Sequence, residues 1–440
     1  MMRWMGVLIV ALLTSIAGGT MAEPQIQQLT SPKGTTYWLV ESPQIPMVSV
    51  EVALRAGSAF EPASKQGLAS MTASMMDEGA GDLDAKAFKE ALDELGARFG
   101  AGSDKLDVTV HLTTLIEHAE AATQLAALAL HKPRFDADAL ERMKAATVAG
   151  IQQSEENPGA VAGRAFAKAV FDDHAYARQS VGTVESVAGL TVEDVKAWHT
   201  TQLTKANMVV SVVGAVKPNQ AGKLVDVLVE DLPAGTARNV ITEGPKPTTP
   251  QLVRIEKTLP QATIMLGHVG MSRDDPDYYP MLVMNEMLGG GILTSRLFEV
   301  VREKHGLVYG VGSANTVLPK GGMFVVQLQT ENGKAQKALD LIKAELERIR
   351  TTQPTDQEFA DVVDYLVGSF PLRVDSNGKV LDYLSLMQME NLGADYLTKW
   401  VGHIKAVTPA DIQRVAAKLI QPDAMAVTIV GSGPAMKAHW

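Results

Sequence analysis

At 440 residues the chain is long for a single hydrophobic core and suits two domains of about 200 residues each. A hydrophobic content of 46% with 20% charged residues excludes a disordered chain, and a net charge of −10 excludes a nucleic-acid partner, which needs a basic face. With no cysteine, disulfides, thiolate catalysis, cysteine-ligated zinc and lipidation at a cysteine are all excluded, so any metal would need His, Asp or Glu.

The first 22 residues read as a secretory signal peptide. One cation, Arg3, precedes an apolar run from Met5 to Leu13 and small residues ending at Ala22. That run is shorter than the roughly 20 residues a spanning helix needs, and no later stretch reaches that length. The mature protein is therefore expected in the periplasm, without a membrane association.

An apolar strand over residues 48–54 leads through a Gly-Ser turn to a helix over 65–76, and amphipathic helices follow at 119–130 and 136–156. Thr191 then reads as the N-cap of a helix that runs on to a β-branched strand at 209–213. The same pattern returns in the second half: a strand at 263–269, a Gly-Met-Ser turn, helices at 279–288, 334–350 and 356–372, then Thr408 as N-cap, Pro409 at the first helical position, and a strand at 426–430. Thr191, Asp194, Met208 and Gly214 pair with Thr408, Asp411, Met425 and Gly431 at one constant offset of 217 residues, without a gap.

A period of about half the chain implies a duplicated domain. The predicted organisation is an N-terminal domain over 23–232, a linker over 233–250 and a C-terminal domain over 251–440, the linker holding three prolines between Gly244 and Gln251. The fold class is α+β: two duplicated domains, each a mostly antiparallel sheet with helices packed on one face.

Several landmarks carry a family resemblance. Arg55-Ala-Gly-Ser58, Glu61-Pro62, Gly67-Leu-Ala69, Asn157-Pro158, His174-Ala-Tyr176, Gly182-Thr183 and Leu190-Thr-Val-Glu-Asp194 resemble, in order, those of the insulinase-type (pitrilysin) zinc metallopeptidases. In the second half Leu288-Gly-Gly-Gly291, Ser295-Arg-Leu-Phe298 and Val301-Arg-Glu-Lys-His-Gly-Leu-Val-Tyr309 resemble the same family.

Peptide-cleaving members carry His-x-x-Glu-His on the helix after the Gly-Leu-Ala landmark, with a distal Glu as third ligand. Residues i and i+4 share a helix face, so two imidazoles can hold zinc while the Glu acts as general base. The resemblance puts Ser70 and Ser74 at the histidine positions, Ala73 at the base and Gly150 at the distal ligand. None of the four is a competent ligand or base, so this chain is expected to bind no metal. Of its nine histidines none forms His-x-x-x-His, and His111 and His118, with Glu117 beside the second, read as ordinary strand and surface histidines.

Residues 295–305 read as a helix ending in Lys304 and His305, with Gly306 just beyond it and Tyr309 at the start of a strand over 307–317. On composition alone Arg302 would pair with Glu299 or Glu303 and Tyr309 would pack on the sheet. The resemblance implies instead that Arg302 and Tyr309 are the family's arginine and tyrosine pair, two donors that orient the scissile peptide and stabilise its oxyanion. Gly289, Gly290 and Gly291 lack the Lys-Ser or Lys-Thr of a phosphate loop; they read as a turn between helices, and the resemblance implies a substrate-binding loop.

The reading that follows is a non-catalytic, substrate-binding subunit of a heterodimeric zinc peptidase. It would be inactive alone, with zinc expected in a homologous partner chain and a peptide as substrate. The alternative is a structural or interaction subunit of the same fold with no peptidase role; the presence of both Arg302 and Tyr309 favours the first. An active homodimer is disfavoured because no other ligand cluster is visible.

Overall fold

The computed structural model describes residues 24–291 and 293–432, so the expected signal peptide lies outside the described residues. The first half builds a six-stranded sheet in the order Ile26–Thr30, Thr36–Glu41, Met208–Gly214, Met47–Leu54, Val108–Leu115, Arg98–Ser103. The second half builds a five-stranded sheet which, read from its edge, runs Gln251–Glu256, Ala426–Gly431, Gln261–Val269, Met323–Glu331, Val308–Thr316.

Apart from the extra edge strand Ile26–Thr30 the two orders are the same. Each contains one parallel pair, Thr36–Glu41 with Met208–Gly214 and Gln251–Glu256 with Ala426–Gly431, in an otherwise antiparallel sheet. The sequence repeat is therefore a repeat of topology. Its local signature is kept as well: Thr191 Oγ1 and Thr408 Oγ1 each accept from the amide of Asp194 or Asp411 at 3.2 Å, and each aspartate accepts in return from the threonine amide at 3.0 Å. These capping boxes start the helices Val192–Gln202 and Pro409–Leu419.

The helices of each half cover one face of its own sheet, as the pattern implied. The other face, about which the sequence pattern said nothing, is covered by a helix from the opposite half. Helix Asn377–Met389 lies on Met208–Gly214 and Met47–Leu54, packing Val380, Leu381 and Leu384 against Val40 and Val213, with Ser385 Oγ 3.0 Å from Ser211 Oγ. Helix Pro158–Phe171 lies on Ala426–Gly431 and Gln261–Val269, packing Val161 and Ala162 against Val430. This exchange explains why Met208–Gly214 and Met47–Leu54 are buried along almost their whole length. A strand covered on both faces needs apolar or paired groups on both.

Residues 233–250 form no helix or strand, yet they are pinned to both halves. Asn239 Nδ2 donates to the Arg55 carbonyl at 2.7 Å, and Thr248 Oγ1 accepts from the Val269 amide at 2.9 Å while donating to the Val170 carbonyl at 3.3 Å. No helix among the described residues is long and apolar enough to cross a membrane.

Candidate functional site

Helix Leu68–Ser74 occupies the position expected for the metal-binding helix, preceded by a short turn at Ala63–Lys65 rather than extending from residue 65. Gly67, at φ +89°, makes the left-handed entry. The buried carboxylate of Glu61 then accepts from the amides of Gly67 at 3.0 Å and Ala69 at 2.7 Å, filling the first free donors of the helix. Burial pushes the Glu61 carboxyl up to about 7, against the pull of those two amides.

On that anchored helix Ser70 and Ser74 are half-buried and Ala73 is only 1% exposed. Gly150 stands exposed on helix Ala137–Ser154, with open space where a side chain would be. This donor set does not fit zinc: two neutral hydroxyls, a methyl and a hydrogen offer neither the charge nor the geometry of a His, His, Glu shell. Among the described residues no three His, Asp or Glu side chains gather into a metal-binding group. His111 lies in strand Val108–Leu115, and His118 lies in a short turn beside Glu117, 3.9 Å away.

In the second half two helical segments are wound wider than an α-helix. Tyr278–Asn285 continues as a π-turn over Glu286–Gly290, closed by the Gly291 amide donating to the Glu286 carbonyl at 3.1 Å, and Phe298–Lys304 forms a second π-turn where an α-helix was expected. Such widened turns recur at functional sites because they re-aim side chains. Both pack on the strand Val308–Thr316.

The expected second-half residues lie on that strand or on the two turns packed against it. A Cβ on Gly289 would stand 2.5 Å from the Ser313 amide nitrogen, so only glycine allows the loop to lie this close to the strand. Gly306, at φ +59°, ends the Arg302 turn as expected. Tyr309 follows at a bulge in the strand, 84% exposed and with no hydrogen-bond partner for its hydroxyl among the described residues, so its ring does not pack on the sheet. Arg302 lies 4.6 Å over the Phe298 ring with Glu303 at 3.9 Å, a loose pairing that leaves its guanidinium partly open to solvent. Arg302 and Tyr309 make no hydrogen bond to each other.

Two family models match the chain, one described as Insulinase (Peptidase family M16) over residues 37–184 and one as Peptidase M16 inactive domain over residues 189–366. A solved structure from Pseudomonas fluorescens, described as a peptidase M16 inactive domain, superposes with a TM-score of 0.89 at 30% identity, covering 94% of this chain and 100% of that one. The chain belongs to peptidase family M16, the insulinase family. Two further M16 relatives differ in how they are described. An uncharacterized zinc protease of Bacillus subtilis is 24% identical over 93% of this chain and 99% of its own length, and a non-peptidase homolog of Helicobacter pylori is 26% identical over 83% and 84%. Within this M16 fold, motif spacing did not single out Glu286 and Tyr365 near the glycine loop, nor Arg55 as a link between the halves.

Proposed function

We propose that this M16 chain is the substrate-binding subunit of a two-chain zinc peptidase, exported to the periplasm, and that a homologous partner carries the zinc. One observation carries the reading: all four positions of the metal site are filled by residues that cannot serve it, while Arg302 and Tyr309 stand on one strand-and-turn unit with their donors available. Tyr309 is 84% exposed with no partner for its hydroxyl among the described residues, and Arg302 is partly open, so both donors are free for a ligand. Two donors converging on one carbonyl oxygen hold the scissile peptide and stabilise charge as water on the partner's metal attacks. Neither donor has to change protonation state for that role.

The test is reconstitution. This chain is purified alone, with a family member from the same genome that carries His-x-x-Glu-His, and as a mixture. Cleavage of a quenched fluorescent peptide should appear with the mixture, greatly exceed that of either chain alone, and require zinc bound to the partner. If the two chains associate and no peptide in a diverse library is cleaved faster than by the partner alone, the chain is an interaction subunit instead.

A further inference from the structure

A cavity of about 350 Å³ opens beside the glycine loop, between the π-turn Glu286–Gly290 and helix Asp356–Ser369. Its walls include Leu293, 65% exposed, Tyr365, 55% exposed, and Val362, with Glu286, Glu358 and Asp361 supplying the charge. Large apolar side chains at a rim with carboxylates inside suit a ligand with an apolar stem and a cationic tip.

The three carboxylates are not equivalent. Glu358 is committed to Arg296, which donates to it through both Nε and Nη2, the latter at 2.8 Å. Asp361 is exposed and accepts from Gln357 at 2.8 Å. Glu286 is half-buried, and its carboxylate makes no hydrogen bond or ion pair with any described residue. Burial holds its carboxyl above the ordinary range, with Arg373 opposing from a distance.

The glycines explain how that carboxylate stays reachable. A Cβ on Gly290 would stand 2.9 Å from Glu286 Oε2, and one on Gly291 would stand 3.0 Å from Oε1. Any side chain at either position would crowd the carboxylate. Glu286 and the exposed Asp361 alone are too few ligands for a metal ion.

We propose that this cavity is a subsite for a lysine or arginine side chain of a bound peptide, with Glu286 as the counter-charge and Leu293, Val362 and Tyr365 enclosing its methylene stem. The assignment deepens the substrate-binding reading and rests on it, since the peptide must run along the glycine loop to reach the cavity. The Tyr365 ring adds a face on which a cation can rest.

The test uses the mature chain alone and two fluorescein-labelled alanine-based peptides with a central lysine or its uncharged isostere norleucine, followed by anisotropy at low salt. The lysine peptide should bind about tenfold more tightly, the scale of one charge-assisted hydrogen bond in a half-buried site. Glu286→Gln, nearly isosteric, should erase that difference while leaving norleucine binding unchanged. Gly290→Ala should reduce the lysine preference by covering the carboxylate, and Tyr365→Ala should weaken both peptides. Equal affinity of the unaltered chain for the two peptides, a preference that survives Glu286→Gln, or binding of neither peptide overturns the subsite. The subunit reading has its own readout, turnover of the two-chain mixture, so the two can fail separately.

Discussion

Arg55 and Glu390 form an ion pair across the seam between the two halves, Nη2 to Oε1 at 2.8 Å. The same guanidinium donates to the Met389 carbonyl at 3.2 Å and lies 3.2 Å from Asp107 through Nε, so one buried arginine ties the end of the first-half strand to the end of the exchanged helix Asn377–Met389. Arg55→Ala would leave Asp107 and Glu390 with only Arg238, which makes no close ion pair with either, as a neighbouring cation. A loss of about 3 kcal/mol is expected, measured as a lower urea midpoint. Arg55→Lys should recover only part of it, because an ammonium lacks the fork that reaches both carboxylates.

Stability should also depend on pH through Glu51. This carboxyl is buried on the strand face beneath the exchanged helix, beside His111 on one neighbouring strand, Ser211 on the other, and Asp382 and Ser385 on the helix. Burial pushes it up to about 7, the Ser385 hydroxyl opposes, and Asp382 adds to the rise. A carboxyl raised on folding binds its proton more tightly in the folded state. Its contribution is therefore complete below the unfolded value of 4.5 and is lost as pH climbs to about 7. His111, lowered by burial, works in the opposite sense below its ordinary value of 6.5. Glu51→Gln should flatten the fall in stability between those pH limits by on the order of 1 to 3 kcal/mol, read from urea midpoints across the range. An unchanged slope would show that folding does not raise the Glu51 carboxyl.

Restoring a metal shell is a direct check on the register of the degenerate helix. Ser70→His, Ser74→His and Gly150→Glu place donors at two half-buried positions and one open one, whereas Ala73→Glu would force a carboxylate into a site 1% exposed. The triple variant should take up about one zinc per chain by metal analysis after dialysis, and the parent none. Addition of Ala73→Glu should lower the melting temperature. Zinc uptake no better than the parent by a folded triple variant would mean that these positions do not converge.

In the reconstituted peptidase, Arg302→Ala and Tyr309→Phe should each lower kcat by about 10²-fold to 10³-fold, the usual effect of losing one oxyanion donor. Neither should alter the melting temperature of the single chain by more than a degree or two, since the Tyr309 hydroxyl has no internal partner and the Arg302 side chain makes only a loose ion pair and a half-exposed contact with the Phe298 ring. Turnover unaffected by both changes would remove them from the chemistry.

What the sequence revealed and what it hid divide by range. The capping boxes at Thr191 and Thr408 were readable because donor and acceptor lie three residues apart, and the turn at Gly306 because a single glycine marks it. Helix Pro158–Phe171 was not, because its alanines and glycines mark no strong apolar face and the surface it covers belongs to strands in the other half. The π-turns were also hidden, since a bond from residue i+5 instead of i+4 leaves composition unchanged. At the candidate site Arg302 and Tyr309 were singled out because they fall within one short motif. Glu286 and Tyr365 were not, because they come from separate helices that meet only after the second half has folded.

The reciprocal exchange of helices also fixes what kind of motion the chain can make. A hinge between the halves would have to lift Leu381 and Leu384 off one sheet and Val161 and Ala162 off the other at the same moment, wetting both seams together. The two seams thus resist opening one at a time, and motion of one half against the other has to break both. Cleaving the backbone between residues 233 and 250 should accordingly leave two fragments that stay interlocked, each still lending a helix to the other.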